Sequence, residues 1–296
     1  MRRRVLLLGK AGQVGWELAR TLEPISDVTS LSREDVDLSS PQALRTAIRA
    51  FRPEWVVNAA AYTQVDKAES EPEMAFAVNS SALEVIAEEA RSLSAAVIHF
   101  STDYVFDGMK NEPYREDDVT SPLNVYGKSK FGGEQALAAS GIPFAVLRTS
   151  WIYGWRGTNF LRTILRLAEE RDELRIVNDQ FGAPTWCRDV ARAAMGLMES
   201  VDFDPERLRE SSGVYHATAA GETSWFGFAK AIMAETGKFD VKLVGISSDQ
   251  YATTARRPRN SRLNCEKLAD AFGVRLPEWS ASLGTMLREH ARSLMV

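Results

Sequence analysis

The segment Gly9-Lys10-Ala11-Gly12-Gln13-Val14-Gly15 stands between a short apolar run at residues 5–8 and a helix-like stretch at 13–22. No other feature constrains the fold as much. A buried strand that ends on glycine and opens directly into a helix is a turn built for close approach. Gly9 allows the tight turn, Gly12 lets the backbone come near a pyrophosphate, and Gly15 lets the helix pack against the strand. The N-terminus of the helix supplies N–H donors and a partial positive charge to an anion. A glycine triplet alone is weak; its place at the head of an alternating pattern gives it weight.

That alternation runs through the first half. Strands are expected at 5–8, 28–31, 55–58, 96–100 and 144–147. Helices are expected at 13–22, from Ser40-Pro41 onward, at 82–91 and at 126–139. Ser40 reads as a helix cap with Pro41 at the first helical position. Alternation of this kind predicts an α/β fold, a doubly wound parallel sheet of Rossmann type covered by helices on both faces. Beyond Arg148 the pattern loosens, with helices expected at 158–171, 188–198, 225–236 and 280–291 and strands at 174–177 and 241–246. The expected division is a dinucleotide-binding domain at 1–150, to which parts of 175–200 return, and a smaller α+β substrate lobe over most of 151–296. There is no long linker, repeat or low-complexity tract.

Composition excludes several classes. The 296 residues are 45% hydrophobic and 26% charged, as in a globular protein, and the net charge of −4 argues against nucleic acid as a partner. No apolar run approaches ~18 residues, so no membrane span is expected. The basic start, Met1 to Arg4, with Val5 to Leu8 is too soon interrupted by glycine to be a signal peptide. Two cysteines, Cys187 and Cys265, form no disulfide framework and fit a cytoplasmic location.

The second strand ends in Leu31-Ser32-Arg33, where sites for NAD usually place an acid. A hydroxyl beside an arginine suits a 2′-phosphate, so NADPH is the expected cofactor, with NADH as the alternative. Asp37 and Leu38 are expected near the adenine. Further along, Tyr126 and Lys130 are four apart on one helix face, beyond the fourth strand, whose end carries Ser101-Thr102-Asp103. A cation near a phenol lowers its pKa, and a hydroxyl from Thr102 can bind the same substrate oxygen. This set can move a proton while a cofactor moves a hydride.

At this point the chain resembles the extended short-chain dehydrogenase/reductases. A narrower likeness lies in six blocks: residues 58–69 (NAAAYTQVDKAE), 101–108 (STDYVFDG), 121–128 (SPLNVYGK), 148–151 (RTSW), 178–185 (NDQFGAPT) and 257–263 (RPRNSRL). They resemble the dTDP-4-dehydrorhamnose reductase family from residue 5 to about 289. The resemblance implies reduction of the C4 ketone of dTDP-4-dehydro-L-rhamnose, the last step of dTDP-L-rhamnose synthesis, which feeds cell-surface polysaccharide. It assigns Tyr126 as general acid, Lys130 as cofactor-ribose ligand and pKa modulator, and Thr102 as the hydroxyl that polarises O4. It places Gly12, Gln13 and Val14 at the pyrophosphate, Ala61, Tyr62 and Thr63 along the cofactor groove and Asp103 and Trp151 against the substrate. Trp151 reads equally as a core residue, and Asp103 as a turn cap.

Arg256, Arg257, Arg259 and Arg262 form a basic cluster suited to a nucleotide-sugar pyrophosphate, with Arg257 and Arg262 as the expected substrate contacts. Some members of the family are magnesium-linked dimers. Glu17 and Glu289 match two of the glutamates, but Arg188 stands where a third carboxylate is expected. No metal site is expected, Arg188 is expected to bridge the glutamates, and a homodimer is left open. His99, His216 and His290 have no metal spacing; His99 reads as a core residue that the proton transfer does not need. Two other readings remain: a different nucleotide-sugar short-chain reductase, epimerase or dehydratase, or a non-catalytic NADP-binding relative of the kind that regulates methionine adenosyltransferase. Only Asp103 follows Thr102, where a dehydratase needs an acidic pair, and the joint presence of Thr102, Tyr126 and Lys130 favours a catalyst.

Overall fold

The computed structural model describes residues 3–238 and 240–293; Met1 and Arg2, at the basic N-terminus, lie outside the described residues. Five strands follow the expected alternation: β1 (Arg4–Leu8), β2 (Asp27–Leu31), β3 (Trp55–Asn58), β4 (Ala96–Thr102) and β5 (Phe144–Thr149). With Gly213–His216 they form one six-stranded parallel sheet in the order Gly213–His216, β5, β4, β3, β1, β2. All four residues of β3 and all seven of β4 are buried, which is why they read as apolar runs rather than alternating ones. Neighbouring residues point to opposite faces. Leu7, Trp55, Val57 and Ile98 therefore enter one core, while Leu6, Leu8, Val56 and Val97 enter another.

Helix α1 (Gln13–Leu22) follows β1 and covers the first of these cores through Leu18 and Leu22. Helix α2 (Pro41–Phe51) starts at Ser40, whose hydroxyl accepts the Ala43 N–H at 3.4 Å, as the Ser-Pro pair predicts. The chain passes from β1 outward to β2 and then back across β1 to β3. The glycine turn thus opens at the point where strand order reverses, the usual ligand crevice of an open α/β sheet.

The second half builds a smaller lobe. Strands Glu173–Val177 and Lys242–Ile246 pair in parallel around a core of Leu161, Trp186, Phe228 and Met286. Helix Cys187–Ser200 places Val190, Ala191 and Leu197 in the same core as α1, while Leu174 and Ile176 stay with the second lobe. The sixth sheet strand comes from farther on, at Gly213–His216, and was not expected from the pattern. Among the described residues, no helix is long and apolar enough to cross a membrane.

Candidate active site

The glycine turn has the geometry its spacing predicts. Gly9 takes a φ of +92°, and a Cβ there would sit 2.6 Å from the Ala60 main-chain nitrogen. A Cβ on Gly15 would lie 2.1 Å from the Gly9 carbonyl oxygen, so helix and turn pack without room for a methyl. Gly12 is the N-cap of α1 and offers no side chain to its own helix. The donors of the first turn, at Gln13, Val14 and Gly15, are left for an anion. The cradle therefore fits a dinucleotide pyrophosphate. Gln13 itself points elsewhere: its Oε1 accepts from Asn159 Nδ2 at 2.8 Å, tying the turn to the second lobe.

At the end of β2, the Ser32 main-chain N–H and hydroxyl both donate to Asp35, at 2.7 and 2.8 Å. Lys10 from the glycine turn reaches the same carboxylate at 2.9 Å. The Ser32 hydrogen bonds, followed by Lys10, hold the Asp35 carboxyl well below the usual carboxylate range. Lys10, which carries no motif signal of its own, brings a second cation beside Ser32 and the exposed Arg33. Asp37 accepts from the Ser39 N–H and hydroxyl, whereas the Leu38 side chain is buried in the core with Leu8 and Leu44. Tyr62 is clamped by Asn79, which accepts its N–H at 2.9 Å and donates to its carbonyl at 3.0 Å. Asn79 Nδ2 also donates to Ser129 Oγ at 2.9 Å. This residue, on an irregular helical turn at Ala77–Ser81, joins the groove of Ala61, Tyr62 and exposed Thr63 to the helix Val125–Ala138. Its signal was absent from the sequence reading.

Helix Val125–Ala138 begins at Asn124, whose Oδ1 accepts the Gly127 N–H at 2.8 Å and whose amide donates to the Arg256 carbonyl. It carries Tyr126 and Lys130 to the end of β4. Tyr126 packs edge-on against Tyr104, two residues beyond Thr102, with ring centroids 5.8 Å apart. Thr102 is buried, accepts the Tyr104 N–H at 3.2 Å and donates to Asp103 Oδ1 at 3.1 Å. The turn cap here is Thr102, not Asp103. Burial pushes the Asp103 carboxyl up to about 7, and its Oδ2 is buried without a hydrogen-bond partner among the described residues.

One expectation is overturned. The phenol of Tyr126 is not lowered by Lys130: burial pushes it up to about 12, and Asp103 adds to the shift. The Lys130 side chain is turned instead toward β4. Its Nζ donates to the Phe100 carbonyl at 2.6 Å and lies 3.0 Å from His99 Nε2. Lys130 is only 1% exposed, and this burial brings it down to about 7 despite Glu134 on the next turn.

Beside this group lies a cleft of about 1590 Å³, walled by Leu123, Phe160, Gln180, Trp225, Tyr251 and the cluster Arg256, Arg257, Arg259 and Arg262. Neither Tyr126 nor Thr102 lines it. Arg257 and Arg262 hold carboxylates already: Arg257 pairs with Asp66 at 2.6 Å and Arg262 with Glu222 at 3.0 Å. Trp151 is half-buried, in a left-handed conformation (φ +50°), and stacks on Trp225 at 3.6 Å with the rings 10° apart. A Cβ on Gly182 would sit 2.7 Å from the Trp151 ring, so that residue must be glycine for the stack to form.

The model of the RmlD substrate binding domain matches residues 3–292. The dTDP-4-dehydrorhamnose reductase of Burkholderia thailandensis is 45% identical over 293 residues, covering 97% of this chain and 98% of the relative. The chain belongs to the dTDP-4-dehydrorhamnose reductase family. The reductase of Escherichia coli K12 is 43% identical over 294 residues, covering 96% of this chain and 97% of its own. The crystal structure of the Bacillus anthracis dTDP-4-dehydrorhamnose reductase in complex with NADP is 31% identical, with a TM-score of 0.91, and covers 98% of this chain and all of its own. Within this family frame, Arg188 does what its position predicts. It bridges Glu17, at 3.1 Å, and Glu289. Among the described residues, no group of three or more His, Cys, Asp or Glu is placed to hold a metal ion.

Proposed function

We propose that this protein reduces the C4 ketone of dTDP-4-dehydro-L-rhamnose to dTDP-L-rhamnose with NADPH, in the cytoplasm. The observation that carries this reading is the helix Val125–Ala138, which brings Tyr126 and Lys130 to the end of β4, where Thr102 stands, in a chain that also holds a pyrophosphate cradle and an arginine-walled cleft. Two free cysteines fit a reducing compartment.

The turn at Gly9–Gly15 and the pair Lys10 and Arg33 would hold the dinucleotide, which when bound supplies a hydride. Arrival of that hydride at C4 builds negative charge on O4. Tyr126 and Thr102 both donate to that oxygen, and Tyr126 gives it a proton. A phenol held near 12 is fully protonated at neutral pH, so Tyr126 starts the reaction as the acid form. Lys130 lies one turn below it and supplies positive charge to the resulting phenolate when protonated. Arg257 and Arg262 orient the pyrophosphate of the nucleotide sugar by exchanging their carboxylate partners for phosphate oxygens. The flat face of the Trp151–Trp225 stack offers the sugar or base an apolar surface.

The test is NADPH oxidation by the purified protein with dTDP-4-dehydro-L-rhamnose and identification of the product. Stoichiometric dTDP-L-rhamnose supports the reading. Binding of NADPH with no oxidation would place the chain with non-catalytic relatives, and conversion without net NADPH consumption would make it an epimerase or dehydratase.

A further inference from the structure

Three buried side chains form a line behind the catalytic helix: Asn58 on β3, His99 on β4 and Lys130. Asn58 and His99 are register partners in the sheet, and all three are at most 1% exposed. Asn58 Nδ2 lies 3.2 Å from His99 Nδ1, and His99 Nε2 lies 3.0 Å from Lys130 Nζ. The direction of these bonds follows from one more contact. Asn58 Oδ1 accepts the Ala60 N–H at 3.1 Å, so the oxygen end of the amide faces Ala60 and its NH₂ end faces the ring. An amide NH₂ can only donate, which makes His99 Nδ1 an acceptor. The proton of a neutral imidazole then sits on Nε2 and points at Lys130. An ammonium has no lone pair to accept it, but an amine does, and an amine still donates to the Phe100 carbonyl.

We propose that His99, oriented by Asn58, is a positioning residue that holds Lys130 as the neutral amine in the cofactor-free protein. The proposal rests on the reading of Lys130 as a catalytic group and extends it. The lysine is stored uncharged, and it takes up a proton as an anionic dinucleotide fills the crevice. The surrounding charges do not forbid this. Glu134, on Lys130's own helix, is bound by both Nε and Nη2 of Arg148 from β5, at 2.9 and 2.6 Å. Tyr126 is one helical turn away, and Asp103 at the end of β4 is bonded to Thr102. β3 presents the uncharged Asn58. Burial of Lys130 agrees with the amine form, bringing its titration down to about 7. His99 is held below its ordinary range by burial and by Lys130, so the ring stays neutral.

The experiment is NMR titration of the Lys130 ε-carbon in the cofactor-free protein, assigned by its loss in Lys130→Met. Wild type is expected to titrate within about a unit of 7. Asn58→Leu removes the donor to Nδ1 and frees the ring to present a bare Nε2 to an ammonium. It is expected to move the Lys130 titration up by about one unit or more, although Asn58 does not touch Lys130. Should Asn58→Leu fail to fold, His99→Gln is read the same way: its amide oxygen can accept from an ammonium, and the same upward shift is expected. Calorimetry of NADPH binding at pH 8 in buffers of different ionisation enthalpy is expected to show proton uptake in wild type and less in the variant. A wild-type Lys130 titrating above about 10, or a titration unchanged in the variants, overturns the proposal. None of these readouts needs turnover, so a catalytically inactive protein with the predicted titration would contradict the proposed function and leave this inference standing.

Discussion

Arg148 and Glu134 form a fork-to-fork ion pair with both side chains at most 4% exposed, joining β5 to the catalytic helix one turn beyond Lys130. Arg148 also lies over the Phe106 ring at 5.0 Å. Removing one partner leaves a buried, unpaired charge. Glu134→Gln is expected to cost about 3–5 kcal/mol of stability, measured by urea denaturation. The double variant Arg148→Met/Glu134→Leu is expected to recover most of that loss. A Glu134→Gln protein as stable as wild type would show the pair to be solvated.

Asp103 makes stability depend on pH. Its folded value, about 7, lies above the ordinary 3.8 because the carboxyl is buried. An acid shifted this way contributes stability that is fully present below 3.8 and is lost as pH rises to about 7. Asp103→Asn removes the titration. Relative to wild type, the variant is expected to gain melting temperature steadily from pH 4 to 8, in thermal melts of the cofactor-free protein. A constant difference across that range would mean that Asp103 is ionised in the folded chain throughout.

Cofactor choice is expected to depend on the cations at the end of β2. Arg33 is exposed there, and Lys10 is held close by Asp35. Arg33→Ala is expected to lower kcat/KM for NADPH about tenfold, equivalent to one charge-assisted contact, while leaving NADH nearly unchanged. Equal efficiency with both cofactors, unaltered by the substitution, would remove the 2′-phosphate assignment.

Arg257 is expected to serve the nucleotide sugar and not the cofactor. Arg257→Glu sets a carboxylate against Asp66 on the wall of the cleft. The substrate KM is expected to rise at least about tenfold, with the NADPH Kd from fluorescence titration unchanged. The reverse pattern would move the basic cluster to the cofactor side.

The parts of the molecule legible in the sequence are those set by local pattern. β1, β3 and β4 are buried on both faces and so appear as largely apolar runs, and Gly9 and Gly15 stand where a Cβ would clash with main-chain atoms. Arg188 between Glu17 and Glu289 was readable because one charge had the wrong sign for its place. What escaped depends on partners distant in the chain. Gly213–His216 is four residues with no periodicity of its own, and it becomes a strand because β5 has an open edge. The turn of Lys130 toward Phe100 and His99, rather than toward Tyr126, follows from how the helix Val125–Ala138 docks on β4, which spacing along a helix does not encode. The same docking explains why His99, taken as an ordinary core residue, ends beside Lys130 Nζ, 3.0 Å away.

The central claim is that Tyr126 delivers the proton to the sugar ketone, and one substitution tests it. Tyr126→Phe keeps the ring that packs edge-on against Tyr104 at 5.8 Å and removes only the hydroxyl. With dTDP-4-dehydro-L-rhamnose and NADPH, kcat is expected to fall by about 10²–10⁴-fold, with the melting temperature and the NADPH Kd close to wild type. Turnover within a few-fold of wild type would contradict the account.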